Sequence, residues 1–200
     1  MISILFEKGG ILIYPLLAFS VISAAVIIEK CHSIRKISVS RKFYEGIVSA
    51  AGKNDKAAIA SFMDSSPKNR QKNLSSDIIE NAISGRYRSQ KEASPAVSSL
   101  MLESVSGIHI LDLVGKISPM TGLTGTVIGL ARAFQDVSVS GRTGDAALLA
   151  GGIWEAMITT IAGLLIAIPA IIASHLLRSS FKKHFARLRH CIEALLPAEK

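Results

Sequence analysis

Residues Gly122–Phe134 read GLTGTVIGLARAF, and after a polar connector residues Gly151–Ala173 read GGIWEAMITTIAGLLIAIPAIIA. Both segments are apolar and rich in Gly and Ala, and together they decide the fold. Gly122, Gly125 and Gly129 recur at three- and four-residue spacing in the first, and Gly152, Ala156 and Gly163 do much the same in the second. Small residues at that spacing let two helix backbones approach closely in a membrane. The second segment carries one carboxylate, Glu155, and two hydroxyls, Thr159 and Thr160. An ionisable side chain inside an apolar span is expensive and faces a protein interior or a water path.

Working outward, the fold class is all-α: an integral membrane protein with three transmembrane helices and long helical extensions. The chain has 200 residues and is 49% hydrophobic with a mean hydropathy of +0.40, which fits a few spans plus one polar region. Ile11–Ile28 is the first span, Ile117–Phe134 the second and Ala146–Leu177 the third, each of crossing length. Ser23-Ala24-Ala25 has the look of a signal-peptide cleavage site. The apolar run nevertheless continues to Ile28 and charged residues, which favours an uncleaved span. Pro119 is expected to bend the start of the second span.

The formal net charge is +8. Lys30–Glu103 holds 13 of the 23 Lys and Arg residues and the stretch after Leu177 holds six. Positive flanks stay inside, so the N-terminus is outside and the C-terminus inside, with both cysteines on the inner side. The basic charge follows from that bias; there is no aromatic-interleaved basic motif, and nucleic-acid binding is not expected. Cys31 and Cys191 form no CxxC, the five histidines are scattered, and no phosphate loop or nucleophile motif is present. No metal, cofactor or enzymatic activity is expected.

The domain reading is therefore 1–30 for the outer end and first span, 31–107 for an inner helical region, 108–177 for the second and third spans with their connector, and 178–200 for the inner tail. Within the inner region, Asn54 is expected to cap a short helix through Met63, Ser65–Asn73 to form a loop, and Leu74–Arg88 a helix. Ser94 and Pro95 have the pattern of an N-cap and first helical residue, from which one helix is expected to run unbroken into the second span. Asp112 and Lys116, four apart, are placed to pair near the membrane face.

The second and third spans form an antiparallel hairpin. With its centre near residue 140, Thr126 lies level with Glu155 and Gly122 with Thr159, to about one turn of 5.4 Å. A buried carboxylate beside threonine hydroxyls on Gly-lined helices makes a polar layer, and several copies in a ring would enclose a path. Helical phase puts Thr159 on the face of Glu155 and Thr160 about 140° away.

These residues resemble the MotA/TolQ/ExbB proton channel family, and most closely its ExbB/TolQ branch. The resemblance rests on GLTGTVIG (Gly122–Gly129), on GIWEAMITTIAG followed by AIPA (Gly152–Ala170), and on the early GG, Tyr-Pro and LLAFSVISAAVIIEK run (Gly9–Lys30). Thr124 stands where leucine is usual, and His175 where asparagine is common. The resemblance implies a pentameric ring in the bacterial inner membrane, with a periplasmic N-terminus and a cytoplasmic C-terminus. It also implies an ExbD/TolR-like single-span partner inside the ring and a TonB/TolA-like protein that carries the motion outward. Position in the motif implies Glu155, Thr126 and Thr160 as pathway residues. Family position and helical phase thus disagree over Thr160 and Thr159, and family position is given the greater weight. Pro169 in AIPA joins the five glycines as a packing residue. A flagellar-stator-like subunit and a non-conducting membrane scaffold are the alternative functions.

Overall fold

The computed structural model describes residues 12–37, 41–52, 74–140 and 146–197, with the single positions Ile59 and Ser61. Six helices are described: α1 (Ile13–Ile37), α2 (Arg41–Gly52), α3 (Leu74–Ile83), α4 (Gln90–Val105), α5 (Ile108–Ser140) and α6 (Ala146–Leu195). No strand occurs among the described residues. Three stretches are long and apolar enough to cross a membrane: Ile13–Arg35, Gln90–Val139 and Leu149–Leu195.

The chain divides into two compact units, one of Met1–Ile28 with Gly107–His175 and the other of Glu29–Ser106 with Leu176–Lys200. In the first unit, α5 and α6 are apolar on every side. Val127, Phe134, Trp154, Leu165 and Leu176-adjacent Ile172 are more than half exposed, the signature of helices whose outer surfaces meet lipid or other protein rather than water. Pro119 lies inside α5 and Pro169 inside α6, and neither ends its helix. In a membrane, neighbouring helices and polar side chains re-satisfy the backbone groups that proline frees.

The second unit has an ordinary core. Phe43, Tyr44 and Ile47 of α2, Ile78 and Ile79 of α3, Leu100 of α4, and Phe181, Phe185, Leu188 and Ile192 of α6 are buried. Phe181 and Phe185, one turn apart, stack with ring centroids 6.5 Å apart. Gln90 ties α4 to the end of α6, its side-chain amide donating to the carbonyls of Glu193 at 3.2 Å and Leu196 at 3.0 Å.

Three sequence expectations are corrected. The helix expected to begin at Ser94 and Pro95 begins at Gln90, with Ser89 as N-cap and Pro95 inside. The Glu92 carboxylate accepts the Arg88 N–H at 2.7 Å, and together with the Gln90 anchor this fixes the earlier start. The helix expected to run unbroken into the membrane stops at Val105. Ser106 donates its N–H to the Leu102 carbonyl, and Gly107 takes φ 83°, a left-handed conformation suited to glycine that ends α4. The helix expected to reach Arg88 ends at Ile83. Arg86 N–H bonds back to Asn81 at 3.0 Å around Gly85, φ 77°, closing it in the manner of a Schellman motif. Conversely, the helix that carries the third span continues through the basic tail, α6 being 50 residues long. Of the short helix expected at Asn54–Met63 only Ile59 and Ser61 are described, both helical, while the loop at Ser65–Asn73 and the centre of the connector, 141–145, lie outside the described residues.

Candidate functional site: the glycine seam of the hairpin

Helices α5 and α6 meet along a seam made mostly of small residues. On α5 it follows Gly115, Ser118, Gly122, Gly125, Gly129 and Ala133, and on α6 it follows Gly152, Ala156, Thr159, Gly163 and Ile171. A Cβ placed on Gly122 would lie 2.8 Å from the Thr159 carbonyl oxygen and 2.9 Å from the Thr160 Cα. One on Gly163 would lie 2.5 Å from the Ser118 carbonyl oxygen. Both obstacles are backbone, which has no rotamer to yield. Gly125 faces the Thr159 side chain, Gly129 lies against Ala156 with 3.0 Å left for a Cβ, and Gly152 faces the Ala133 methyl. All five glycines singled out from the sequence lie on this seam. Pro169 instead is exposed on α6.

The seam sets the register. Gly122 lies opposite Thr159, and four residues along each helix Thr126 comes level with the backbone of Glu155. Glu155 belongs to the helical run of α6, and its side chain lies outside the described residues.

The hydroxyls divide sharply. Thr159 is 3% exposed. Its Oγ1 lies 2.7 Å from the Ala156 carbonyl and 3.3 Å from the Gly122 carbonyl across the seam, so it is committed to backbone on both helices. Thr126 is half-buried and donates to Leu123 of its own helix at 2.7 Å. Among the described residues, the Thr160 hydroxyl is buried without a hydrogen-bond partner, as is that of Ser118 on α5. Thr159 and Thr160, neighbours in sequence, therefore sit in opposite situations. Nearer the Gly107 end of α5, the Ser174 hydroxyl donates to the Asp112 carboxylate, joining the two helices. Sequence reading paired Asp112 with Lys116 and overlooked Ser174, because a lone serine 62 residues away has no local signal.

The second unit contains its own buried polar group, which sequence reading missed entirely. His184 on α6 lies 3.0 Å from the Ser75 hydroxyl and 3.4 Å from the Tyr44 hydroxyl. Burial, with help from the Arg187 cation, lowers its pKa to about 4, so the imidazole is neutral at ordinary pH. Burial raises the Tyr44 hydroxyl and pushes the Cys191 thiol up to about 12, keeping both protonated. A groove of about 1010 Å³ opens between α4 and α6, lined by Lys91, Met101, Lys182, Phe185 and Arg189 among others, and shares no residue with the hairpin seam.

Comparison with known proteins places this geometry. Residues 54–190 match the MotA/TolQ/ExbB proton channel family. The chain is 27% identical over 184 residues to the putative biopolymer transport protein ExbB-like 3 of Synechocystis sp., covering 90% of this chain and 87% of that one. It is 32% identical over 169 residues to a putative ExbB homolog of Methanothermobacter thermautotrophicus, covering 82% of this chain and 58% of that one. To the Tol-Pal system protein TolQ of Haemophilus influenzae it is 30% identical over 191 residues, 84% of this chain and 80% of that one. Three apolar helices, a glycine seam between two of them and these relatives converge: the chain belongs to the MotA/TolQ/ExbB proton channel family, in its ExbB/TolQ-like branch.

Proposed function

We propose that this chain is the ring-forming proton-channel subunit of an ExbB/TolQ-like motor in a bacterial inner membrane. The observation that carries the reading is the seam, which brings Thr126 level with Glu155 and leaves the Thr160 hydroxyl buried and uncommitted, in a chain of a proton channel family. Glu155 is the titrating group, Thr126 and Thr160 hold water or pass protons beside it, and Thr159 locks the hairpin. Exposed apolar side chains around α5 and α6 supply the surfaces on which further copies, in a pentamer, and lipid pack. A single-span ExbD/TolR-like partner completes the path, and a TonB/TolA-like protein transmits the work to the envelope.

The test is energised function in cells, with a pull-down of the partner as the control for assembly. Glu155→Gln, Thr126→Val and Thr160→Val should assemble yet lose most or all of partner-dependent uptake or envelope integrity. Three assembled and fully active variants would sink the assignment and favour a non-conducting scaffold. Orientation has its own test. Cys31 is exposed whereas Cys191 is wholly buried, so Cys31 is the informative thiol. A membrane-impermeant maleimide should label Cys31 in opened cells and leave it unlabelled in intact ones; labelling in intact cells would reverse the topology.

A further inference from the structure

At the end away from its connector, the hairpin closes in a polar bond. The Ser174 hydroxyl donates to the Asp112 carboxylate. Both residues belong to the same compact unit, and the contact of Gly115 with Ile171 lies about one turn further along the seam. Hydroxyls in apolar helices commonly bond to a carbonyl of the preceding turn. Thr121 does so to Ile117 at 3.0 Å and Thr124 to Met120 at 2.9 Å. Ser174 reaches across to the other helix. The bond is set among apolar residues: Ser174 is 0% exposed, and Ile108, Leu111 and Val114 beside Asp112 and Ala170 one turn before Ser174 are buried. Asp112 is half-buried and is the only Asp or Glu between Glu103 and Asp136. Ionisable side chains held in apolar membrane helices are costly, and they mark proton relays and ion paths.

Helical phase connects this bond with the threonines assigned above to the path. Asp112 lies fourteen residues before Thr126 on α5, and Ser174 fourteen residues after Thr160 on α6. Fourteen residues fall about 40° short of four full turns and rise about 21 Å. Each member of the bond thus lies close to the face of one pathway threonine, four turns along the hairpin. In the proposed orientation that end is the inner one, where a proton passes to water.

We propose that Asp112 is the proton acceptor at the inner end of the path, and that Ser174 is a positioning residue that aims its carboxylate. This rests on the proton-channel reading and deepens it. A hydronium arriving along the path gives its proton to an Asp112 carboxylate oxygen, so that one O–H bond forms as another breaks. The acid then releases the proton to water on the inner side. The carboxylate is regenerated, and nothing is oxidised or reduced.

The test measures proton flux per assembled ring and thermal stability. The assembly is purified from its own membrane through a tag on this chain and reconstituted in liposomes containing a pH-sensitive dye. In Asp112→Asn the amide oxygen still accepts the Ser174 hydroxyl but cannot relay a proton, so a purely structural residue would leave flux unchanged. An acceptor loses flux by about tenfold at a similar melting temperature. That is less than a positioned proton-transfer group usually contributes, because water at the membrane face substitutes in part. Asp112→Glu, which keeps a carboxyl, should recover most of the flux. Ser174→Ala keeps the carboxylate but no longer aims it, and its flux per ring should fall by less than in Asp112→Asn. Wild-type flux in Asp112→Asn beside a dead Glu155→Gln would overturn the acceptor and leave the channel reading standing. Wild-type flux in Glu155→Gln would overturn the channel reading itself. Should Asp112→Asn not assemble, Ser174→Ala decides: a lower melting temperature with wild-type flux per ring would make the bond structural and overturn the proposal.

Discussion

The two units treat buried polar groups in opposite ways. In the unit of Glu29–Ser106 and Leu176–Lys200, Tyr44, Ser75 and His184 satisfy one another across three helices. In the hairpin, the Ser118 and Thr160 hydroxyls are buried with no partner among the described residues, near Thr121 and Thr159, whose hydroxyls are bonded. The first arrangement rigidifies a core; the second leaves two buried hydroxyls without a partner among the described residues. The surfaces differ in the same sense. Large apolar side chains are exposed all around α5 and the membrane half of α6, whereas below Leu177 the alternation on α6 is Phe181, His184, Phe185 and Leu188 inward with Lys182, Lys183, Arg187 and Arg189 outward.

The largest effect should come from closing the seam. Gly122→Ala and Gly163→Ala each drive a methyl into backbone of the opposite helix, and each should cost about 3 kcal/mol or more in hairpin stability, with loss of assembly by native mass spectrometry. Gly151→Ala, one position from the seam with open space around it, should be neutral or gain up to about 1 kcal/mol from helix propensity. Equal behaviour of Gly151 and Gly163 would mean that the seam is not what holds the hairpin.

The next effect belongs to His184. Its folded pKa, about 4, lies below the ordinary histidine value because burial and Arg187 disfavour the cation. The unfolded chain therefore takes up the proton first as pH falls. The stabilisation is complete above about pH 6.5, is lost progressively down to about pH 4, and amounts to about 3 kcal/mol at most. Thermal melts of the wild type should show that acid slope, and His184→Gln should flatten it. A slope that survives the substitution would assign it to other groups.

Smaller still is Ser75→Ala. It removes the nearer partner of His184 and should cost about 1–2 kcal/mol in stability with no loss of proton flux. A flux defect in Ser75→Ala matching that of Thr160→Val would erase the contrast between the two units.

Much of this was legible in the sequence, for physical reasons. Glycines at three- and four-residue spacing state a close approach before any coordinates exist, and the Gly122–Thr159 register follows from helix rise and a short connector alone. The choice between Thr159 and Thr160 was not legible from helical phase. Phase relates residues to one another and does not say which side of α6 faces α5; that depends on where the partner's glycines fall. Ser118 carried no signal because no local pattern marks a buried hydroxyl that lacks a partner among the described residues. The Tyr44, Ser75 and His184 group joins residues up to 140 positions apart, beyond the reach of any local pattern. The ends of α3 and α4 were misplaced because Gly85 and Gly107 adopt left-handed backbone that an apolar periodicity does not reveal.

The most direct measurement is proton flux into liposomes carrying the purified assembly, wild type against Glu155→Gln, with copy number fixed by native mass spectrometry. The expected result is an intact assembly whose flux falls to background when this one carboxylate is replaced by an amide of nearly the same shape. An intact Glu155→Gln assembly conducting protons at the wild-type rate would contradict it.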